Sequence, residues 1–379
     1  VTEIKTKPSS RVLTFDLMRG YFLIAILLDH LDFFPNGLDW VSMRGDMFVS
    51  AAEGFFLISG IVLGIVRGVK LLDRPLEIAA RLFLKRSVQL YLTATILTAV
   101  FTLIGWWFYM NNPGLKYGIL PPGTNLFEAV WKIATFQYLY GWADYLRLYC
   151  IFLLVSPLAM WLLRKGLWYV LLAVNIGVWL LYPNSPLLPD TVQEYWQPLS
   201  WQLIFFSGLT IGFYWPRIVA WWMSLSTGLR RLLTSGVVTV AVISLLVNIF
   251  IAFGAKMLLP VSAGLAHQLD DLGTNLYREF FDKEAMPLAR IILFAFWFAA
   301  SFWLFHRLEN YFKRWLGWLL IPFGQNSLYV YTLSAVLLFF AHLYFFTSTL
   351  LANFIISLAM ILLVRLAIHY KVLMKIIPR

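Results

Sequence analysis

Apolar runs of roughly 17 to 25 residues recur along this chain, and each is long enough to cross about 30 Å of hydrocarbon at 1.5 Å per residue. No other feature narrows the fold as much. In lipid, backbone N–H and C=O groups must be satisfied within a segment or a closed barrel, so runs of this length read as helices. They fall near 13–34, 48–66, 87–109, 145–163, 167–182, 199–215, 232–254, 287–305, 324–346 and 349–370. The expectation is an all-α integral membrane protein of about ten transmembrane helices, forming a single polytopic domain over 1–379 with no separate soluble domain. Composition agrees: 61% of the 379 residues are hydrophobic, 13% are charged and the mean hydropathy is +0.76. An ordinary soluble domain does not have these values.

The net charge of +11 would suit nucleic acid if the basic residues shared one surface, but they punctuate the apolar runs instead. About two thirds of the 30 Lys and Arg residues lie in alternate connections: Lys5 to Arg11, Arg67 to Arg86, Arg164 and Lys165, Arg217 to Arg231, Arg307 to Arg314, and Lys371 to Arg379. Positive-inside bias assigns these to the cytoplasm, and with an even helix count both termini lie there. The opposite connections are poorer in basic residues, led by Arg44, Lys116 and Lys256, and three of them (114–125, 182–198 and 255–286, the last mixed in charge) are candidate substrate-facing elements. The amphipathic stretch 126–143 is expected to lie at the outer interface or re-enter. Cys150, the lone cysteine, sits among apolar neighbours and reads as packing. No removable signal peptide is evident. The five histidines lack metal-ligand spacing, so no metal is expected.

An ionisable residue within a membrane helix is costly unless it is paired or lines a cavity, which makes the first run the natural place to look for chemistry. It carries Asp16, Arg19, Asp29 and His30. Arg19 and His30 are eleven positions apart, hence about 20° apart around a helix and roughly 16 Å apart along it. Asp16 joins the same stripe and is placed to pair with Arg19. The stripe reads either as a catalytic channel with a titratable base at its outer end, or as a structural Asp–Arg pair with an interfacial histidine.

Glu53, near the outer end of the second run, either orients His30 or is a solvated helix-end acid. Among the six cations from Arg67 to Arg86, the residues Arg81, Lys85 and Arg86 are the best placed to hold a phosphorylated nucleotide, though anionic lipid is an alternative partner. Gln202, and the Gln325, Asn326 and Ser327 cluster, either line a cavity or bond between helices. Asp144, Arg147 and Tyr149 either receive a sugar near an outer mouth or, for Asp144 and Arg147 at i and i+3, simply pair with each other, and Tyr195, Trp196 and Trp201 could stack on a sugar. His342 and His369 are expected at interfaces.

The segment RVLTFDLMRGYFLIAILLDH, from Arg11 to His30, resembles the first helix of the membrane acyltransferase-3 superfamily, where an Arg and a His are separated by ten residues. FFLISG, from Phe55 to Gly60, resembles the superfamily's next element and contains Ser59. RLFLKRSVQLY at 81–91, DYLRLYCIFLLVSP at 144–157, WQLIFFSGLTIG at 201–212 and FGQNSLYVYTLSA at 323–335 make the chain look most like the OpgC type. That branch is associated with succinylation of osmoregulated periplasmic glucans. Leu333 departs from the pattern, standing where a histidine is often expected.

The resemblance implies an O-acyltransferase of the bacterial inner membrane that moves a succinyl or acetyl group from cytoplasmic acyl-CoA to a hydroxyl of a periplasmic or cell-surface glycan. His30 would be the base, with Arg19, Asp16 and Glu53 around it. Arg81, Lys85, Arg86, Ser59, Gln202, Gln325 and Asn326 would bind the donor. Acyl-CoA, the glycan and membrane lipids are then the partners, with no nucleic acid and no metal, and Arg147 or Arg290 could supply a cation for a succinyl group. The rival reading is a transporter or flippase, which would be expected to show paired repeats or Gly- and Pro-broken helices in matching halves. Neither is present in the sequence.

Overall fold

The computed structural model describes residues 12–108, 119–121, 123–181, 198–374 and 377, and no strand occurs among them. The helices are α1 (Leu13–Leu31), α2 (Ala51–Leu63, continued by a π-helical turn at Gly64–Val69), α3 (Leu76–Phe108), α4 (Leu126–Ala134), α5 (Asp144–Arg164), α6 (Trp168–Leu181), α7 (Pro198–Phe213) and α8 (Trp215–Ser224). They continue with α9 (Thr227–Leu258), α10 (Ala263–Phe280), α11 (Leu288–Arg307), α12 (Glu309–Trp315), α13 (Gly317–Gln325), α14 (Ser327–Tyr344) and α15 (Leu350–His369).

Every predicted run falls on a helix, but seven of the described helices are long and apolar enough to cross a membrane, or eight if the bent pair α7 and α8 is one span. The expected ten exceeds that count for two physical reasons. The 19 residues of α1 include Asp16, Arg19 and Asp29, and α6 has only 14 residues. The stretch 126–143 forms no span. Its short helix α4 buries Ala129 and Ile133 while Leu126, Phe127, Val130 and Trp131 stay exposed, as an interfacial amphipathic helix would.

α1 lies at the centre. Thirteen of its residues are buried, Asp16 among them, and it packs along α13, α2 and α14. α2 packs against α7, and α3 against α5. The α2–α7 contact is made by glycines at i and i+4 on both helices. A Cβ on Gly60 or Gly64 would collide with the backbone carbonyls of Phe205 or Leu209, and one on Gly208 or Gly212 with those of Leu57 or Ile61. Helices approach this closely in lipid only where side chains are absent. Cys150 is buried between α5 and α3, where the Ser87 hydroxyl donates to the Cys150 carbonyl at 2.8 Å, so the packing reading holds. α9 is the contrast: most of its surface faces outward, where lipid would lie.

Candidate active site

Two cavities open along the polar stripe of α1, one at each end. The one at its N-terminal end measures about 600 Å³ and is bordered by Asp16 and Arg19 of α1, Ser59 of α2, Arg67 of the π-helical turn, Lys85 and Arg86 of α3, and Gln325 and Ser327. Arg19 donates to the Ser327 hydroxyl, and its guanidinium lies 5.7 Å from the centre of the Phe55 ring. Arg67 sits over Phe83 at 4.6 Å. No carboxylate lies within ion-pair distance of Lys70, Lys85 or Arg86 among the described residues. The Ser59 hydroxyl is buried and has no hydrogen-bond partner among them. Five cations border the cavity against one carboxylate, Asp16, and one buried hydroxyl lacks a partner, as expected of a pocket for a phosphorylated ligand.

The cavity at the C-terminal end of α1 is smaller, about 200 Å³, and is bordered by Asp29, His30, Arg44, Tyr145, Lys283, Arg290 and Tyr331. His30 is half-buried, its ring centre 6.2 Å from that of Trp142 and 6.3 Å from that of Tyr145. Tyr331 is fixed by donating to the Trp142 carbonyl at 2.6 Å. The Lys283 ammonium lies 5.6 Å from the centre of the Tyr145 ring, and the Tyr145 phenol, with Glu53 beyond it, holds Lys283 above the ordinary lysine range. Tyr149 borders both cavities, packed edge-on to Phe56 at 6.4 Å and Phe205 at 5.8 Å. The stripe on α1 therefore joins two chambers with one tyrosine in common.

Glu53 takes neither of the roles expected of it. It is wholly buried rather than solvated, and both carboxylate oxygens are occupied elsewhere, so it does not orient His30. Oε1 accepts from Arg290 Nε at 2.7 Å and from Arg290 Nη2, while Oε2 accepts from the Ser50 backbone N–H at 3.1 Å and from the Ser50 hydroxyl. The local sequence explains half of this: Ser50 and Glu53 stand at N-cap and N3 of α2 and form a capping box. The other half is tertiary, since Arg290 comes from α11 and completes its bonding by donating to the Phe281 carbonyl at 2.5 Å.

The donor-binding candidates divide. Lys85, Arg86, Ser59 and Gln325 border the first cavity, and Arg81 does not; it is exposed. The face of α3 turned to the cavity carries Leu82, Arg86 and Gln89, spaced by one helical turn, and Arg81 falls beside that face. Gln202 bonds between helices instead, donating to the Asn175 carbonyl of α6 at 2.6 Å, and Asn326 donates to the Pro322 carbonyl at 2.9 Å at the break between α13 and α14. Arg147 donates to the Phe136 carbonyl at 3.4 Å and borders neither cavity.

His342 is buried rather than interfacial, stacked on Trp142 at 5.4 Å with its Nε2 2.9 Å from the Leu31 carbonyl, whereas His369 is exposed. Trp201 is buried against Phe56 and Tyr145 and offers no open face to a sugar. Tyr195, Trp196, the loop at 182–198 apart from Pro198, part of that at 114–125, and the side chain of Asp144 lie outside the described residues.

Sequence reasoning missed Lys283 altogether and placed Tyr149 only at an outer mouth. Lys283 sits in a polar connection that reads as solvated, and only the fold brings it beside Tyr145. The described residues contain no group of three or more His, Cys, Asp or Glu side chains arranged to hold a metal.

Comparison with known proteins gives one match. A family model described as OpgC protein matches residues 11–375. No curated protein and no solved structure matches the chain.

Proposed function

Because the chain belongs to the OpgC protein family over nearly its whole length, we propose that it is a membrane-bound O-acyltransferase using cytoplasmic acyl-CoA and an extracytoplasmic glycan. The observation that carries this reading is the pairing of two chemically different cavities on one helix, with Tyr149 between them. A donor and an acceptor kept on opposite sides of a membrane need such an arrangement, and a single-sided hydrolase does not.

The nucleotide phosphates of the donor sit among Lys70, Lys85 and Arg86, which have no carboxylate within ion-pair distance among the described residues. Ser59, Gln325 and Arg19 meet the polar atoms of the donor further in. The pantetheine arm runs past Tyr149 and brings the thioester to His30. There the imidazole takes the proton of a sugar hydroxyl as its oxygen attacks the thioester carbonyl carbon. The C–S bond breaks, the acyl group stays on the sugar oxygen, and the imidazolium returns the proton to the departing thiolate. Transfer is direct, since proximity and a base suffice and Cys150 is packed between helices away from both cavities. The acyl group is succinyl, or less favourably acetyl, and the protein resides in a bacterial inner membrane.

The test is transfer of labelled succinyl and acetyl groups from CoA to envelope glycan in inverted membrane vesicles carrying the native protein or His30→Ala. Label reaching the glycan only with intact His30 supports the reading. Equal labelling by a folded His30→Ala protein removes His30 as the base, and absence of transfer by the native protein puts the transporter reading ahead.

A further inference from the structure

The cavity around His30 borders on three cations, and their surroundings differ. Arg290 is charge-paired and each of its nitrogens is engaged: Nε and Nη2 donate to Glu53, and Nη1 donates to the Phe281 carbonyl. Arg44 donates to Asp39 at 2.6 Å in a partly exposed pair. Lys283 is held by the ring and hydroxyl of Tyr145, and no carboxylate lies within ion-pair distance of it among the described residues. Asp29 shares the cavity and its field reaches Lys283, so the site is not strongly positive. It has one ammonium positioned by an aromatic wall, with room beside it. The cavity of about 200 Å³ suits a short chain rather than a nucleotide or a whole glycan.

We propose that Lys283, positioned by Tyr145, binds a terminal carboxylate on the acyl group being transferred, and so selects a dicarboxylic acyl donor over a neutral one of the same length. This rests on the proposed acyltransferase function and deepens it. The geometry puts the requirement on the small cavity shared with His30, so the carboxylate is on the transferred group, not on the CoA phosphates. Lys283 is thereby a specificity-determining residue. The buried Glu53–Arg290 pair acts differently: its two charges compensate each other in the wall behind the acyl chain, which leaves Lys283 as the lining cation with no carboxylate in ion-pair reach among the described residues. Of the two cations the sequence offers for this task, Arg147 lies outside the cavity, and Arg290 lines it but is already paired with Glu53.

The experiment compares transfer from succinyl-CoA and from butyryl-CoA, which has the same four-carbon chain without the terminal carboxylate, by the full-length protein in vesicles. The native protein is expected to favour succinyl by roughly 10- to 100-fold, the range of a charge-assisted hydrogen bond. In Lys283→Met that ratio should fall towards one, mostly through a higher KM for succinyl-CoA, while butyryl transfer changes little. Lys283→Arg should keep most of the preference, a rescue that mere loss of folding would not permit. A native preference for butyryl, or a Lys283→Met protein that keeps the native ratio or loses both activities equally, overturns the inference and leaves the acyltransferase reading intact. A native protein that transfers neither group overturns that reading, and the inference with it.

Discussion

The two ends of α1 both gather cations, five around one cavity and three around the other, and use them in opposite ways. At the N-terminal end Lys70, Lys85 and Arg86 face a wide cavity with no carboxylate in ion-pair reach among the described residues. At the C-terminal end Arg290 is locked to Glu53 and Arg44 to Asp39, around a space about a third as large. The lesson is that a charge indicates a ligand only when the fold leaves it uncompensated. By that measure one end suits the large anion of the proposed donor, and the other the proposed reaction chamber with Lys283 as its selective cation.

Several measurements can break or sharpen this division. The largest effect should come from His30→Ala, which is expected to lower acyl transfer by roughly 10²- to 10⁴-fold, the usual contribution of a general base. Its affinity for CoA, measured by calorimetry in detergent, should stay near the native value, because the proposed phosphate site is at the other end of α1. Loss of both together would mean that the two cavities are not separate sites.

Glu53→Gln should cost about 3–5 kcal/mol of stability by leaving Arg290 as an uncompensated buried charge. Thermal unfolding would show this, and the double variant Glu53→Leu with Arg290→Met should recover much of the loss. If Glu53→Gln melts like the native protein, the wall of the reaction chamber does not depend on that pair.

Arg86→Ala should weaken CoA binding by about 1.5–3 kcal/mol, in a salt-sensitive way, with no effect on binding of an acyl-pantetheine that lacks the nucleotide phosphates. Equal weakening of both ligands would place the phosphates elsewhere. The smallest effect is reserved for Arg81→Ala, exposed and outside the cavity, which should change CoA affinity and stability by less than about 0.5 kcal/mol.

The parts of the site that sequence made legible are those set by one helix. Helical spacing alone puts Arg19 and His30 on one stripe, and both border cavities along α1. The capping box of Ser50 and Glu53 is equally local. What could not be read are relations that depend on how helices rotate and which ones meet. Arg290 reaches Glu53 from 237 positions away, which no periodicity encodes. Arg81 and Arg86 differ by half a turn on α3, and choosing between them requires knowing which face α3 presents. The span count turns on a related point: the charges that make α1 chemically interesting also keep it out of a count made on length and apolar composition, although it packs at the centre of the bundle.

Tyr149 borders both chambers, so at that point the partition between them is one side chain thick. A membrane that stores energy as an ion gradient cannot carry an open bore, whatever reaction the bore would serve. On the reading developed here the donor's own arm replaces the ring as the plug while it is threaded, and the ring closes again when the arm withdraws. Electrical insulation then becomes a selective pressure on this tyrosine that is independent of catalysis, and a smaller residue there would be paid for in leaked ions even where acyl transfer continued.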